Sequence, residues 1–166
     1  MMIRVARDGD VGAMRAIEVA ADRMFQDVGM DFGPAGEPPS AETLLKYVRD
    51  GRAWVADVEG PVAYLVVDWV DGNVHIEQVS LNPAYGRRGL GAALIETAAA
   101  WAREHGSTAL TLTTFVEVAW NAPYYERLGF RLLADDELTP DLRKVRNHEA
   151  TLGLDRWLRA AMRRDL

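Results

Sequence analysis

Between Val74 and His105 the apolar period changes from two to three-and-four across a turn of glycines and arginines, the order strand, turn, helix. Val74-His75-Ile76-Glu77-Gln78-Val79-Ser80-Leu81 alternates and is closed by Asn82-Pro83, the pattern of a half-buried strand. Leu90, Ala93, Leu94, Thr97, Ala98 and Trp101 then recur three and four apart, as one face of a helix does. The turn between them, Tyr85-Gly86-Arg87-Arg88-Gly89, opens the helix with free backbone N–H groups. The helix dipole adds partial positive charge there, so a phosphate or pyrophosphate fits. Gly89 and Gly91 leave the backbone open to close approach, and Arg87 and Arg88 add permanent charge with forked donors.

Two common phosphate loops are excluded by spacing. Gly89-Leu90-Gly91-Ala92-Ala93-Leu94 lacks the third small residue of the dinucleotide fingerprint, and no Gly-Lys-Ser/Thr follows for a Walker A loop. Composition narrows the rest. The chain has 166 residues, 49% of them apolar and 27% charged, which suits a single globular domain over 1–166. Its net charge of −6 argues against a nucleic-acid partner and is compatible with a cationic amine. With no cysteine, disulfides, cysteine–zinc sites and a cysteinyl intermediate are excluded. No metal is expected. Met1 to Arg7 has no signal-peptide character and no apolar run reaches membrane-spanning length, so a cytoplasmic protein with no membrane partner is expected.

Elsewhere the chain reads as alternating helices and strands. Ile3 to Ala6 is a short strand, and Asp10 caps a helix through Met14, Ile17, Ala21 and Met24. Gly29 to Pro39 is a loop, after which Ser40 caps a helix ended by Gly51. Ala53–Val58, Val62–Val70 and the Val74 strand form an antiparallel meander. The strand Leu110–Thr114 follows the crossover helix and therefore runs parallel to the strand of Glu77. A helix over Trp120–Leu128, a strand from Phe130, a helix near Asp141–Thr151 and a final strand over Trp157–Met162 complete the chain.

Gly86-Arg87-Arg88-Gly89-Leu90-Gly91 resembles the acetyl-CoA loop of the GNAT superfamily of N-acetyltransferases, Gln/Arg-x-x-Gly-x-Gly/Ala. Gly86 departs from its first position. Asn121-Ala122-Pro123-Tyr124-Tyr125-Glu126-Arg127-Leu128-Gly129-Phe130 is similar to that superfamily's second motif. Together the two cover Val74 to Phe130; the residues before match only in element order. The resemblance implies an α/β fold with a mixed, mostly antiparallel sheet, flanked by helices and splayed at a central parallel strand pair. It implies acetyl-CoA as co-substrate and a small-molecule primary amine as acceptor, attacking directly in a ternary complex. A homodimer is a common outcome in that family.

Carried onto this chain, the resemblance makes Glu77 the base, with His75 on the same strand face as its rival, and Tyr125 the acid toward sulfur. A backbone N–H near Val79 would bind the thioester oxygen. Val79 and Leu81 would hold the pantetheine arm, Arg87, Arg88, Gly89, Leu90, Gly91 and Ala92 the pyrophosphate, and Asn121 and Tyr124 further parts of CoA. Met24, Phe25, Met30 and Phe32, with Trp69, Phe115 and Trp120, are candidates for the acceptor side, and equally for core. Each assignment competes with a plainer one: a solvated glutamate, a structural histidine, core aromatics on a helix, a helix cap at Asn121. Two other functions stay open, a non-catalytic acyl-CoA-binding regulatory module and an acetyltransferase for protein lysines or N-termini.

Overall fold

The computed structural model describes all of residues 1–166. Its elements run β1 (Met2–Val5), α1 (Val11–Asp27), α2 (Ala41–Arg49), β2 (Ala53–Asp57), β3 (Pro61–Val70), β4 (Asn73–Leu81), α3 (Leu90–Glu104), β5 (Ala109–Phe115), α4 (Ala122–Arg127), β6 (Arg131–Leu132), α5 (Pro140–Thr151) and β7 (Arg159–Asp165). The strands form one mixed sheet in the order β1-β2-β3-β4-β5-β7-β6. The hairpin between β3 and β4 turns on Asp71 and Gly72, both at positive φ (53° and 78°), which matches the twist of the flanking strands. The link from β4 to β5 contains α3, and their pairing is the parallel one. That ladder is two residues long, Val74↔Leu110 and His75↔Thr111.

By contact density the chain divides into two compact units. One is Met1–Val67 with Glu77–Ala98. Its core is built where the apolar stripes of α1 (Val11, Met14, Ile17) and α2 (Leu44, Val48) meet Ala53, Val55, Tyr64 and Val66 of β2 and β3. Ser40 caps α2 as expected, accepting from the Thr43 N–H at 3.1 Å. Asp10 does not cap α1 with its side chain. Its carboxylate instead takes two hydrogen bonds from Arg4 (2.8 and 2.9 Å) and one from the Arg7 N–H (2.7 Å). The half-buried Arg4 of β1 outcompetes the helix N-terminus because its bonds are charge-assisted.

The other unit is Asp68–Ile76 with Ala99–Leu166. There Val70, Leu142 and Ala161 are buried together under Leu133, Leu138 and Val145. The register Ala109↔Asp165 through Phe115↔Arg159 fixes β7 against β5. It starts the last strand at Arg159, two residues beyond the expected start at Trp157, because Leu154–Arg156 forms a 3-10 turn. The helix expected over Trp120–Leu128 is confined to Ala122–Arg127. α5 is capped from outside: Asp71 accepts from the Asp141 N–H (3.0 Å), the Leu142 N–H (3.0 Å) and the Thr139 hydroxyl. Burial opposes the charge on Asp71, but these donors outweigh it and hold its carboxyl below the usual aspartate range.

Asp71→Ala should therefore cost about 1 kcal/mol at neutral pH, the usual worth of a cap. A depressed folded-state pKa gives stability that is present above the unfolded value of 3.8 and lost as pH falls through the folded one. Urea denaturation should show the gap between wild type and variant closing only below pH 4.

Candidate active site

In the unit that holds Glu77–Ala98, β4 ends at Leu81 and the chain is turned by Asn82, whose side chain accepts from the Ala84 N–H at 3.1 Å. The Asn82 N–H itself donates to Val62 O at 2.8 Å, fixing the exit from the strand. A short 3-10 turn over Pro83–Tyr85 follows. Arg87 (φ 62°) and Gly89 (φ 74°) both adopt the left-handed conformation. The Ala93 N–H donates to Gly89 O at 3.0 Å, so the N–H groups through Ala92 precede the first helical bond and point out of the α3 N-terminus. Arg87 and Arg88 are exposed beside it, and the Arg88 guanidinium lies over the Tyr85 ring at 5.1 Å. Leu90 is buried and anchors the first turn of α3. The arrangement is that of an anion cradle.

Along β4 the environment changes at Glu77. Val74, His75 and Ile76 are buried, Glu77 is exposed, Gln78, Val79 and Leu81 are half-buried, and Ser80 is buried. His75 is 1% exposed, with Nδ1 2.8 Å from Thr111 Oγ1. Burial pulls its pKa down, against the pull of Glu149 and Asp68, so the imidazole is held neutral.

Glu18 was not legible as a site residue. It lies on α1, with Tyr64 donating to its carboxylate at 2.7 Å, Ser80 at 2.6 Å and Gln78 Nε2 at 3.1 Å. Burial pushes this carboxyl up, Ser80 and Tyr64 oppose the shift, and Asp22 adds to it. The Tyr64 phenol is pushed up in turn, by burial and by Glu18. The available signal was a charge beside the apolar stripe: Glu18 follows Met14 by four residues and Ile17 by one.

Among the acceptor-side candidates in this unit, Phe25 packs against Phe32 with ring centroids 5.2 Å apart. Met30 is buried and Met24 half-buried. A groove beside them is lined by Asp22, Arg23, Gln26, Asp31 and Glu37.

In the second unit Asn121 occupies the N-cap of α4. Its side chain makes no cap bond, and Nδ2 donates instead to Trp120 O at 3.0 Å. Tyr124 and Tyr125 meet edge-on at 5.6 Å, and Tyr125 meets Phe130 at 6.0 Å. Gly129, at φ 95°, ends α4 and lets the Phe130 N–H return to Tyr125 O at 3.1 Å. Burial drives the Tyr125 phenol well above its ordinary range; Tyr124 adds to this and Arg159 opposes it. Phe115 is buried under the Arg159 guanidinium at 4.4 Å and meets Trp157 edge-on at 6.2 Å. Trp69 is 44% exposed and packs on Trp101 at 5.7 Å; Trp120 is half-buried. No helix is long and apolar enough to cross a membrane.

The family model described as "Acetyltransferase (GNAT) family" matches residues 15–130, more than half of the chain. The chain belongs to the GNAT acetyltransferase family. Solved structures agree at the level of fold. Rv2747 from Mycobacterium tuberculosis, solved with CoA, is 19% identical over 100% of this chain and 99% of its own, with a TM-score of 0.71. The N-acetylglutamate synthase of Neisseria gonorrhoeae, solved with coenzyme A and N-acetyl-glutamate, is 18% identical with a TM-score of 0.74. It is matched over 99% of this chain but only 35% of its own length. The ribosomal-protein-S18-alanine N-acetyltransferase of Escherichia coli is 19% identical over 99% of this chain and 92% of its own, with a TM-score of 0.68.

The burial of His75 yields a direct test. Its imidazole should titrate below 6.5 by NMR. Because the unfolded chain takes up that proton more readily, the histidine removes stability as pH falls from 6.5 toward its folded value. A titration at or above 6.5 would show an open, solvated ring.

Proposed function

We propose that the protein transfers an acetyl group from acetyl-CoA to a primary amine of a small molecule, by direct attack in a ternary complex. The observation that carries this reading is the α3 N-terminus, opened by the positive-φ residues Arg87 and Gly89 and flanked by two exposed arginines. The CoA-bound relatives that share the fold support it. The N–H groups from Arg87 to Ala92 bind the pyrophosphate, with Arg87 and Arg88 adding charge. Backbone groups of Val79 and Leu81 pair with the pantetheine arm, and Asn121 and Tyr124 contact CoA. No metal takes part in this scheme.

The neutral amine nitrogen attacks the thioester carbonyl carbon, and the oxygen gains charge that the Val79 N–H stabilises. Glu77, exposed on β4, accepts the amine's proton directly or through water. Collapse of the intermediate breaks the carbon–sulfur bond, and the Tyr125 hydroxyl donates toward the departing sulfur. Met24, Phe25, Phe32, Trp69 and Phe115 are proposed for the acceptor side. A second reading, acetylation of a protein N-terminus, is favoured by the groove between α1 and the loop over residues 29–39, and by the alanine N-acetyltransferase among the structural neighbours.

Calorimetric titration with acetyl-CoA, followed by a thiol-release screen over amines, polyamines and N-terminal peptides, tests both. Binding with turnover on small amines supports the first reading, and turnover on peptides alone the second. Absence of acetyl-CoA binding overturns both. Glu77→Gln and Tyr125→Phe should each lower kcat about a hundredfold with acetyl-CoA affinity unchanged. Replacing Arg87 and Arg88 by alanine should instead weaken acetyl-CoA binding about tenfold and leave kcat at saturation unchanged.

A further inference from the structure

Glu18 has no part in the scheme above, and its setting is costly. It lies on the core-facing side of α1, half-buried. Its three hydrogen-bond donors, the Tyr64 and Ser80 hydroxyls and the Gln78 amide, are all uncharged. A carboxylate taken from water without a cation is a poor source of stability. What the carboxylate does achieve is geometric. Gln78 and Ser80 flank Val79, and with a period of two their side chains share a face that the Val79 side chain does not. Both are tied to the same carboxylate, and Gln78 Nε2 also donates to Ser80 Oγ at 2.8 Å. Tyr64, from β3, completes the junction. One side chain of α1 thus grips β4 on either side of a single residue.

We propose that Glu18 is a positioning residue for acyl transfer: its carboxylate clamps Gln78 and Ser80 so that the intervening Val79 N–H keeps one fixed orientation. The proposal rests on the acetyltransferase reading, in which that N–H receives the oxyanion. It also sets a pH dependence. All three partners donate, so a proton added to Glu18 turns one of its acceptor positions into a donor and weakens or re-aims a bond of the clamp. The ionisable groups that act on the clamp are Asp22 on α1, which raises Glu18, and Tyr64 on β3, which Glu77 of β4 also influences. The clamp loosens as pH falls through a midpoint above the ordinary glutamate value of 4.5.

Two variants and one spectroscopic measurement test this. Glu18→Met should lower kcat about a hundredfold, the usual effect of losing one oxyanion donor. Its acetyl-CoA affinity should be unchanged at a temperature where it is fully folded. Glu18→Gln, which keeps an acceptor for Tyr64 and Ser80, should recover part of kcat and lose the acid limb of the pH profile. Turnover of the Met variant within twofold of wild type would overturn the proposal, as would a loss of kcat matched by losses of melting temperature and acetyl-CoA affinity. The Val79 amide resonance should shift with pH in wild type, with a midpoint above 4.5, and should not in Glu18→Gln; identical titrations in both would overturn the clamp. That readout needs no turnover, so a wild-type protein that fails to bind acetyl-CoA sinks the acetyltransferase reading while the clamp is still decided.

Discussion

The parallel pairing of β4 with β5 is the constraint from which the rest of the molecule follows. Two antiparallel strands can be joined by a turn, as β3 and β4 are by Asp71 and Gly72. A parallel pair needs a crossover that carries the chain back the length of a strand, and here that is α3. The crossover must begin where β4 ends, so the N-terminus of a fifteen-residue helix stands at the carboxyl end of that strand. Unpaired N–H groups at that point are a consequence of connectivity. Arg87 and Gly89, both at positive φ, shape that point, and the proposed pyrophosphate site uses it. The ladder spans only Val74–His75, so Val79 lies beyond it.

The carboxylates of the chain sort by what burial does to them. Asp10 is held below its ordinary range by Arg4, and Asp57 by the Gly60 N–H and Arg4; with Asp71 at α5, these are groups whose charge helps hold the fold. Glu18 and Asp22 are displaced the other way, chiefly by burial. Their charge at neutral pH opposes folding. That contrast singles out α1, which carries Glu18 into contact with β4 and lines the groove at Asp22.

Much of this was legible in the sequence because it is local. The change of period across Gly86–Gly89, the Asp71-Gly72 turn and the Ser40 cap are each written within a few residues, and the motif over Asn121–Phe130 lies on α4 and its exit. What escaped is what one segment does to another. The cap of α5 comes from Asp71, seventy residues before Asp141, and no periodicity in α5 announces it. Asp10 has the right side chain and position to cap α1, but Arg4 claims it. The start of β7 is set by its register against β5 and not by its own apolar content. Glu18 reads as one more polar residue on an amphipathic helix until Tyr64, Gln78 and Ser80 are brought around it.

The environment of Tyr125 limits how a phenol there can act. Burial raises its pKa above the ordinary value of 10, whereas an alkyl thiol ionises near 8.5. Full transfer of the phenolic proton to a thiolate is therefore uphill, and burial makes it more so. The same burial guarantees that the hydroxyl carries its proton at every working pH. In the proposed transfer it would thus donate a hydrogen bond to sulfur as the carbon–sulfur bond lengthens, which is where the charge develops. Arg159 is the nearby group that favours the phenolate. Its guanidinium is held over Phe115 and bonded to Glu149 and Thr113, and its Nε lacks a hydrogen-bond partner. Glu149 offsets part of that positive charge. If Tyr125 serves the proposed transfer, its environment therefore suits it to stabilising a departing thiolate by hydrogen bonding rather than to protonating it outright.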